Sequence, residues 1–284
     1  MVLKSLKLFI IILFVTNVIS AQQVEYLYSI GKFKTASSFY LSASGFLFVT
    51  DSGNDELVSL DTLGNILKST GGYGWAENAF DDPVDVFATT LNVYVADKNN
   101  HRVQMFDRNL NFISSLSARD KDNSAEIFGY PLGCAVSNQG DLYILDSENQ
   151  RVIKFDLFGN FIQNFGGFDA GNYQLKNPKA IAVSPNNLIH VLDESGIIIF
   201  DSFGNGIGKI DSDDNITSIR IIFDNLTFNS NDRVYFQSLR SADNFLSEIN
   251  ISNFKKMTIL SSFVYNNKLY ILTQKEISVF SLLP

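Results

Sequence analysis

The chain has one cysteine, Cys134, and two histidines, His101 and His190, among 284 residues. A lone cysteine excludes an intramolecular disulfide framework and any multi-cysteine zinc or iron–sulfur site, and two histidines leave no room for a histidine metal cluster. Basic residues are also in short supply, with 22 Lys and Arg against 30 Asp and Glu and a formal charge of -8. A nucleic-acid partner requires a basic footprint, so that class is set aside. Prolines number only five, and Trp75 is the single tryptophan. What is plentiful is glycine, 18 residues, together with 25 Phe and 11 Tyr, in a chain that is 45% hydrophobic and 18% charged. This balance of turn formers and aromatic strand formers predicts an all-β globular protein with a large core, not a disordered or fibrous one.

The first residues predict export. Lys4 and Lys7 precede an apolar run from Leu8 to Val15, and the small residues Ser20 and Ala21 stand before Gln22. That order is the pattern of a secretory signal peptide over residues 1–21, cleaved after Ser20 or Ala21. A membrane anchor would need about 18 apolar residues in succession, and Thr16 and Asn17 interrupt the run too early. With no cysteine at the cleavage site, a lipoprotein anchor is also excluded. The expected mature chain, residues 22–284, is a single soluble domain outside the cytoplasm, with no membrane insertion and a charge of 20 minus 30, or -10. In an oxidising compartment the free Cys134 must be buried, and Gly133, Ala135 and Val136 around it read as core strand.

A phrase then recurs along the chain: FLFVTD ending at Asp51, VYVAD at Asp97, LYILD at Asp146 and IHVLD at Asp193. Weaker copies end at Ser238 and Thr273. Three residues before each anchor stands a ring, giving the column Phe48, Tyr94, Tyr143, His190, Tyr235 and Tyr270. After each anchor a second strand follows, ending at Asp61, Asp107, Asp156, Asp201, Asn250 and Ser281. In the first four units a turn and a further strand come next, and an apolar strand precedes each hairpin. Four-stranded units of about 40 to 50 residues are the pattern of propeller blades, because one small sheet cannot bury both its faces alone. Six units predict a six-bladed β-propeller of four-stranded antiparallel blades. The sixth unit lacks an outer strand, and Tyr26–Gly31 is expected to supply it from the N-terminus, closing the ring and removing free edges.

The segment from Val93 to Asp107, VYVADKNNHRVQMFD, resembles the NHL repeat, and Asp146 to Asp156, DSENQRVIKFD, follows the same pattern with Gln150 in place of His101. Gly71–Val86 and Gly166–Pro178 are similar to the family's Gly-Gly, aromatic, then Pro loops, with Leu175 in the aromatic place of the latter. The resemblance is weak after Asp211. It implies a propeller scaffold shared by RNA-binding domains of tripartite-motif proteins, an α-amidating lyase, lactonase-like relatives and secreted interaction modules. Fold cannot choose among these. Amidating-lyase chemistry needs several histidines around zinc, which this chain cannot supply.

His101 is assigned to turn packing and His190 to the core column. Asp51, Asp97, Asp146 and Asp193 are read as acceptors of backbone N–H bonds in turns, not as a catalytic ring. Asp211, Asp213 and Asn215 have the alternating-oxygen spacing of a calcium loop, but Ile216 and Ile222 stand where Gly and a bidentate Glu belong, so a solvated acidic loop is preferred. Departures from the repeat carry more information. The connections between blades, which share a face with the hairpin turns, hold Tyr73, Trp75, Phe128, Tyr130, Phe168 and Tyr173. Phe80 and Phe128 are expected to pack under their prolines. Exposed aromatics suit a protein or glycan partner. Asp85 stands where later units have Gly133 and Ala180, and with Lys179 it is expected to give the channel entrance its polarity.

The sequence therefore predicts a secreted, non-catalytic binding or scaffold module in a cell-envelope or extracellular assembly, without cofactor, metal site or catalytic residues. Its binding residues are Tyr73, Trp75, Asp85, Tyr130 and Tyr173, and a protein partner is preferred to a glycan. The alternatives are a glycan-binding propeller and a metal-dependent lactonase-like hydrolase or lyase. The last would need Glu, Asp and Asn ligands from several inner strands, where only Asp85 is apparent.

Overall fold

The structure, a computed structural model, describes residues 22–117, 123–194, 196–212, 215–240, 246–251 and 257–283. The signal-peptide segment 1–21 and Asp213 lie outside these residues. The first strand, β1 (Gln22–Ile30), stands apart from the sheet that follows it in sequence. That sheet contains β2 (Ala36–Leu41), β3 (Leu47–Asp51), β4 (Glu56–Leu60) and β5 (Ile66–Gly71). The second contains β6 (Pro83–Ala88), β7 (Asn92–Asp97), β8 (Arg102–Asp107) and β9 (Phe112–Ser117). In the third are β10 (Pro131–Val136), β11 (Leu142–Asp146), β12 (Arg151–Phe155) and β13 (Phe161–Phe165). The fourth holds β14 (Ala180–Val183), β15 (Ile189–Asp193), β16 (Gly196–Phe200) and β17 (Gly206–Asp211). All four are antiparallel meanders in sequence order.

The remaining strands are β18 (Ser218–Ile222), β19 (Asn225–Asn229), β20 (Val234–Ser238), β21 (Ser247–Asn250), β22 (Ser261–Tyr265), β23 (Lys268–Leu272) and β24 (Ile277–Leu282). They do not form two further separate blades. Instead β1 joins them into one eight-stranded sheet, in the order β18-β19-β20-β21-β1-β24-β23-β22. Val24 to Ile30 pairs antiparallel with β24, slipping register between Tyr26 and Tyr28, while Gln22 and Gln23 pair parallel with Ile249 and Asn250 of β21. The expectation of six blades of four strands is corrected by this pairing. Among the described residues the propeller has four blades and one eight-stranded sheet, because β1 is long enough for its two ends to bond to different neighbours.

Burial follows position in the sheets. Second strands such as β3, β11 and β15 are buried at every residue, as expected for continuous apolar runs packed on both faces. The outer strand β5 is exposed along most of its length. Phe48, Tyr143, His190 and Tyr270 of the ring column are buried, whereas Tyr94 and Tyr235 are half-buried. Each fully buried large apolar side chain contributes about 1.5–3 kcal/mol, so the column is a main source of stability. Phe80 and Phe128 are fully buried, as their place before proline suggested, and Cys134 is buried. Innermost strands β2, β6, β10, β14, β18 and β22 follow one another around a central channel.

The turns into the outer strands repeat one device. Asp61, Asp107, Asp156 and Asp201 each accept backbone N–H bonds from two and four residues on, plus the side-chain amide of Asn65, Asn111, Asn160 or Asn205. In three of these turns a glycine takes the left-handed position, with φ of 92° at Gly64 and 80° at Gly159 and Gly204. Leu110 takes it in the second sheet at φ 57°, where its side chain is buried.

Candidate functional site

The connections between sheets and the hairpin turns lie at one end of the channel, here called the upper face. The repeated aspartates tie the two together. Asp97 Oδ1 accepts the Asp81 N–H at 2.8 Å, and its Oδ2 accepts from Asn100 Nδ2 and Arg102 Nε, both at 2.8 Å. Burial lifts this carboxyl above its ordinary range, against those hydrogen bonds. Asp51 accepts from the Lys34 and Thr35 backbone, Asp146 from Gly129 and Asp193 from Lys176 and Asn177. These carboxylates are turn organisers, and their acceptor positions are occupied by the protein's own donors.

The first connection is held unusually well. Arg102 donates from Nη1 to Trp75 O at 2.9 Å and from Nη2 to Ala76 O and Ala79 O at 3.0 and 2.7 Å. Asn100 Nδ2 reaches Gly74 O at 2.8 Å, and Gln104 Nε2 reaches Ala79 O at 2.7 Å. Gly72 and Gly74 take φ of 111° and 152°, which a side chain would strain. While the backbone is pinned, the rings it carries point to solvent: Tyr73 is 76% exposed and Trp75 65%.

In the second connection Tyr130 is 41% exposed, and its ring centroid lies 4.1 Å from that of His101, whose Nδ1 accepts the Tyr130 N–H at 3.1 Å. Phe168 in the third is 91% exposed. Tyr173 differs from these. Its ring covers Gly206, where a Cβ would meet Tyr173 Cγ at 2.0 Å, and Lys209 Nζ sits 5.9 Å from the ring centroid. It is half-buried by its own protein.

Asp85 is 5% exposed, well inside the channel. Its Oδ1 meets Arg220 Nη2 at 2.5 Å and accepts from Ser38 Oγ at 2.8 Å, while Oδ2 accepts the Cys134 N–H at 3.2 Å. Arg220 Nη2 also contacts Ser38 Oγ. Residues of β6, β18, β2 and β10 therefore converge on one buried cluster. Lys179 is not part of it, its Nζ lying 3.5 Å from Asn215 Oδ1. Burial pushes the neighbouring Tyr40 hydroxyl and Cys134 thiol well up from their ordinary values. Sequence reasoning missed Arg220 and Arg102. The signal for Arg220 was a single cation in an otherwise uncharged inner strand, SIRII, and for Arg102 its recurrence as Arg151, which bonds Asp146 and Ile127 O in the same way.

His190 is buried with Nδ1 3.2 Å from Leu188 O, and burial pushes its pKa down to about 4. Among the described residues no three His, Cys, Asp or Glu side chains are grouped to hold a metal ion.

Comparison with known proteins agrees with this architecture. The family model for the NHL repeat matches residues 80–106 and 128–155, which span β6–β8 and β10–β12. Among solved structures, a catalytically inactive histidine-to-alanine variant of virginiamycin B lyase from Staphylococcus aureus, with quinupristin, is similar at a TM-score of 0.64. It is 11% identical, over 92% of this chain and 99% of that one. Hydrazine synthase of Kuenenia stuttgartiensis is similar at a TM-score of 0.57 and 11% identity, over 86% of this chain and 75% of that one. No curated protein matches by sequence. The chain is a β-propeller carrying NHL repeats. Likenesses this distant describe the fold alone, and function has to be argued from the chain's own residues.

Proposed function

We propose that this NHL-repeat propeller is a non-catalytic binding module that docks a protein partner on its upper face, around Tyr73, Trp75 and Tyr130. The observation that carries the reading is the pinned first connection. A loop whose backbone is already bonded to Arg102, Asn100 and Gln104 loses little entropy on binding, and two large exposed rings supply contact area of the kind that dominates interfaces. Tyr173 and Asp85 are assigned to packing and to the channel instead.

A non-catalytic role is favoured by the state of the titratable groups. The lyase neighbour is inactive when one histidine is replaced, whereas His101 and His190 here are both buried and engaged with backbone atoms. Export, to a periplasm or to the exterior, is part of the proposal and rests on the pattern of residues 1–21.

The test is crosslinking and capture from the cell-envelope fraction, with the wild-type chain and the Tyr73→Ala, Trp75→Ala double variant in parallel. A protein retained by the first and lost by the second, at equal melting temperature, supports the reading. Equal capture by both removes the upper-face aromatics from it.

A further inference from the structure

The opposite end of the channel holds a separate cavity of about 230 Å³. It is walled by residues near the ends of five inner strands, Tyr40 and Phe87 among them, and by turn residues such as the exposed Thr90 and Asn138. None of the described residues that line it is charged. The charges behind it, Asp85 and Arg220, neutralise each other. An ion would give up hydration there without a counter-charge, so the lining suits an uncharged molecule.

Its inner surface is aromatic and preformed. The Tyr40 and Phe87 ring centroids are 4.7 Å apart, and the Tyr40 hydroxyl is anchored to Ile221 O at 3.2 Å. Around these rings stand short hydroxyls and an amide. Asn138 is exposed, and with Nδ2 committed to Pro185 O at 2.7 Å its Oδ1 remains as an acceptor. Ser137 Oγ accepts the Asp141 N–H at 3.1 Å and retains its own proton to donate. Thr90 is exposed at the mouth. Apolar ring faces surrounded by neutral donors and acceptors match a molecule that has an apolar C–H face and a hydroxylated edge. The volume is that of roughly eight waters at ~30 Å³ each, below the ~300–1,000 Å³ of drug-sized pockets. One six-membered sugar ring meets all of these conditions.

We propose that this lower channel mouth is a binding site for a single uncharged sugar ring, either free or at the end of a glycan. The site is independent of the protein-docking face at the other end.

Saturation-transfer NMR on the purified chain tests it, using glucose, galactose, mannose and N-acetylglucosamine, their methyl glycosides, and the charged analogues glucuronate and glucosamine. At least one neutral sugar should give a saturable signal, and both charged analogues should bind at least tenfold more weakly. Binding of the methyl glycoside identifies a chain end as the ligand, and binding of the free sugar alone identifies the monosaccharide. Ala43→Trp, an exposed position on the cavity wall, should block the site, and Asn138→Ala should weaken it about tenfold, both at unchanged melting temperature. The proposal is overturned if no neutral sugar binds saturably, if the charged analogues bind equally well, or if folded Ala43→Trp and Asn138→Ala proteins both bind as the wild type does.

Discussion

Asp85 and Arg220, 135 residues apart in sequence, meet inside the channel with Oδ1 2.5 Å from Nη2. Their contact links the second blade directly to the eight-stranded sheet, so the centre of the ring is held by charge as well as by packing. Ser38 and the Cys134 N–H supply the remaining bonds to the carboxylate.

Removing one partner of such a pair leaves the other buried without compensation. Arg220→Met should therefore cost about 3–5 kcal/mol in urea denaturation, while Asp85→Leu combined with Arg220→Met should recover most of the loss, since an apolar replacement of a whole buried pair is often neutral. A single variant within about 0.5 kcal/mol of wild type, the usual range of a surface substitution, would show that the pair holds nothing together.

The exposed loop and the core column should respond oppositely to truncation. The Tyr73→Ala, Trp75→Ala double variant is expected to keep wild-type stability to within about 0.5 kcal/mol per site, and to lose about 2 kcal/mol or more of partner affinity. Tyr143→Ala, in the buried column, should cost roughly 3–5 kcal/mol of stability. Thermal melts and a binding titration on the same preparations separate the two. Loss of stability on the Tyr143 scale by the double variant would make its rings packing residues.

Deleting 24–31 should lower the melting temperature sharply, because β1 is the strand that unites β21 and β24 and it carries the buried Val24 and Ile30. Its loss exposes two strand edges at once. A truncated chain that melts like the full one would show that β1 is dispensable.

Stability should fall as the medium is acidified from about pH 6.5 to about pH 4 because of His190. Burial lowers its folded pKa from 6.5 to about 4, so across that window the unfolded chain binds the proton that the folded chain excludes. The stabilisation is complete above the unfolded value and disappears as pH falls through the folded one, amounting at most to about 3 kcal/mol. His190→Phe, which matches the aromatic character of the column, should flatten the denaturation profile in that window. Asp61, Asp107 and Asp156, held below the usual carboxylate range by their asparagine-bonded turns, continue to lose stability at lower pH in both proteins.

Features that repeat were readable in the sequence, since each copy of a turn or strand reports on the others. The buried column, the aspartate-anchored turns and the NHL match in the second and third sheets all have that origin. What escaped involves single contacts between distant units. Two residue pairs, Gln22 with Ile249 and Gln23 with Asn250, merge what the repeat counts as separate blades, and no periodicity marks them. Arg220 lies in a unit whose likeness to the repeat has faded, so its pairing with Asp85 had no column to reveal it. Tyr173 lost its place among the exposed rings to Gly206, whose missing side chain makes room for it.

The pairing of β1 with β24 also sets an order of events. Glu25 and Ser29 find their strand partners in Ser281 and Ser278, which a ribosome produces some 250 residues later. Until then the earliest strand has no antiparallel neighbour, although the four consecutive meanders can each form from residues close in sequence. Assembly is therefore local for most of the chain and long-range at its last step, the kind of closure that slows folding and leaves an unpaired edge waiting.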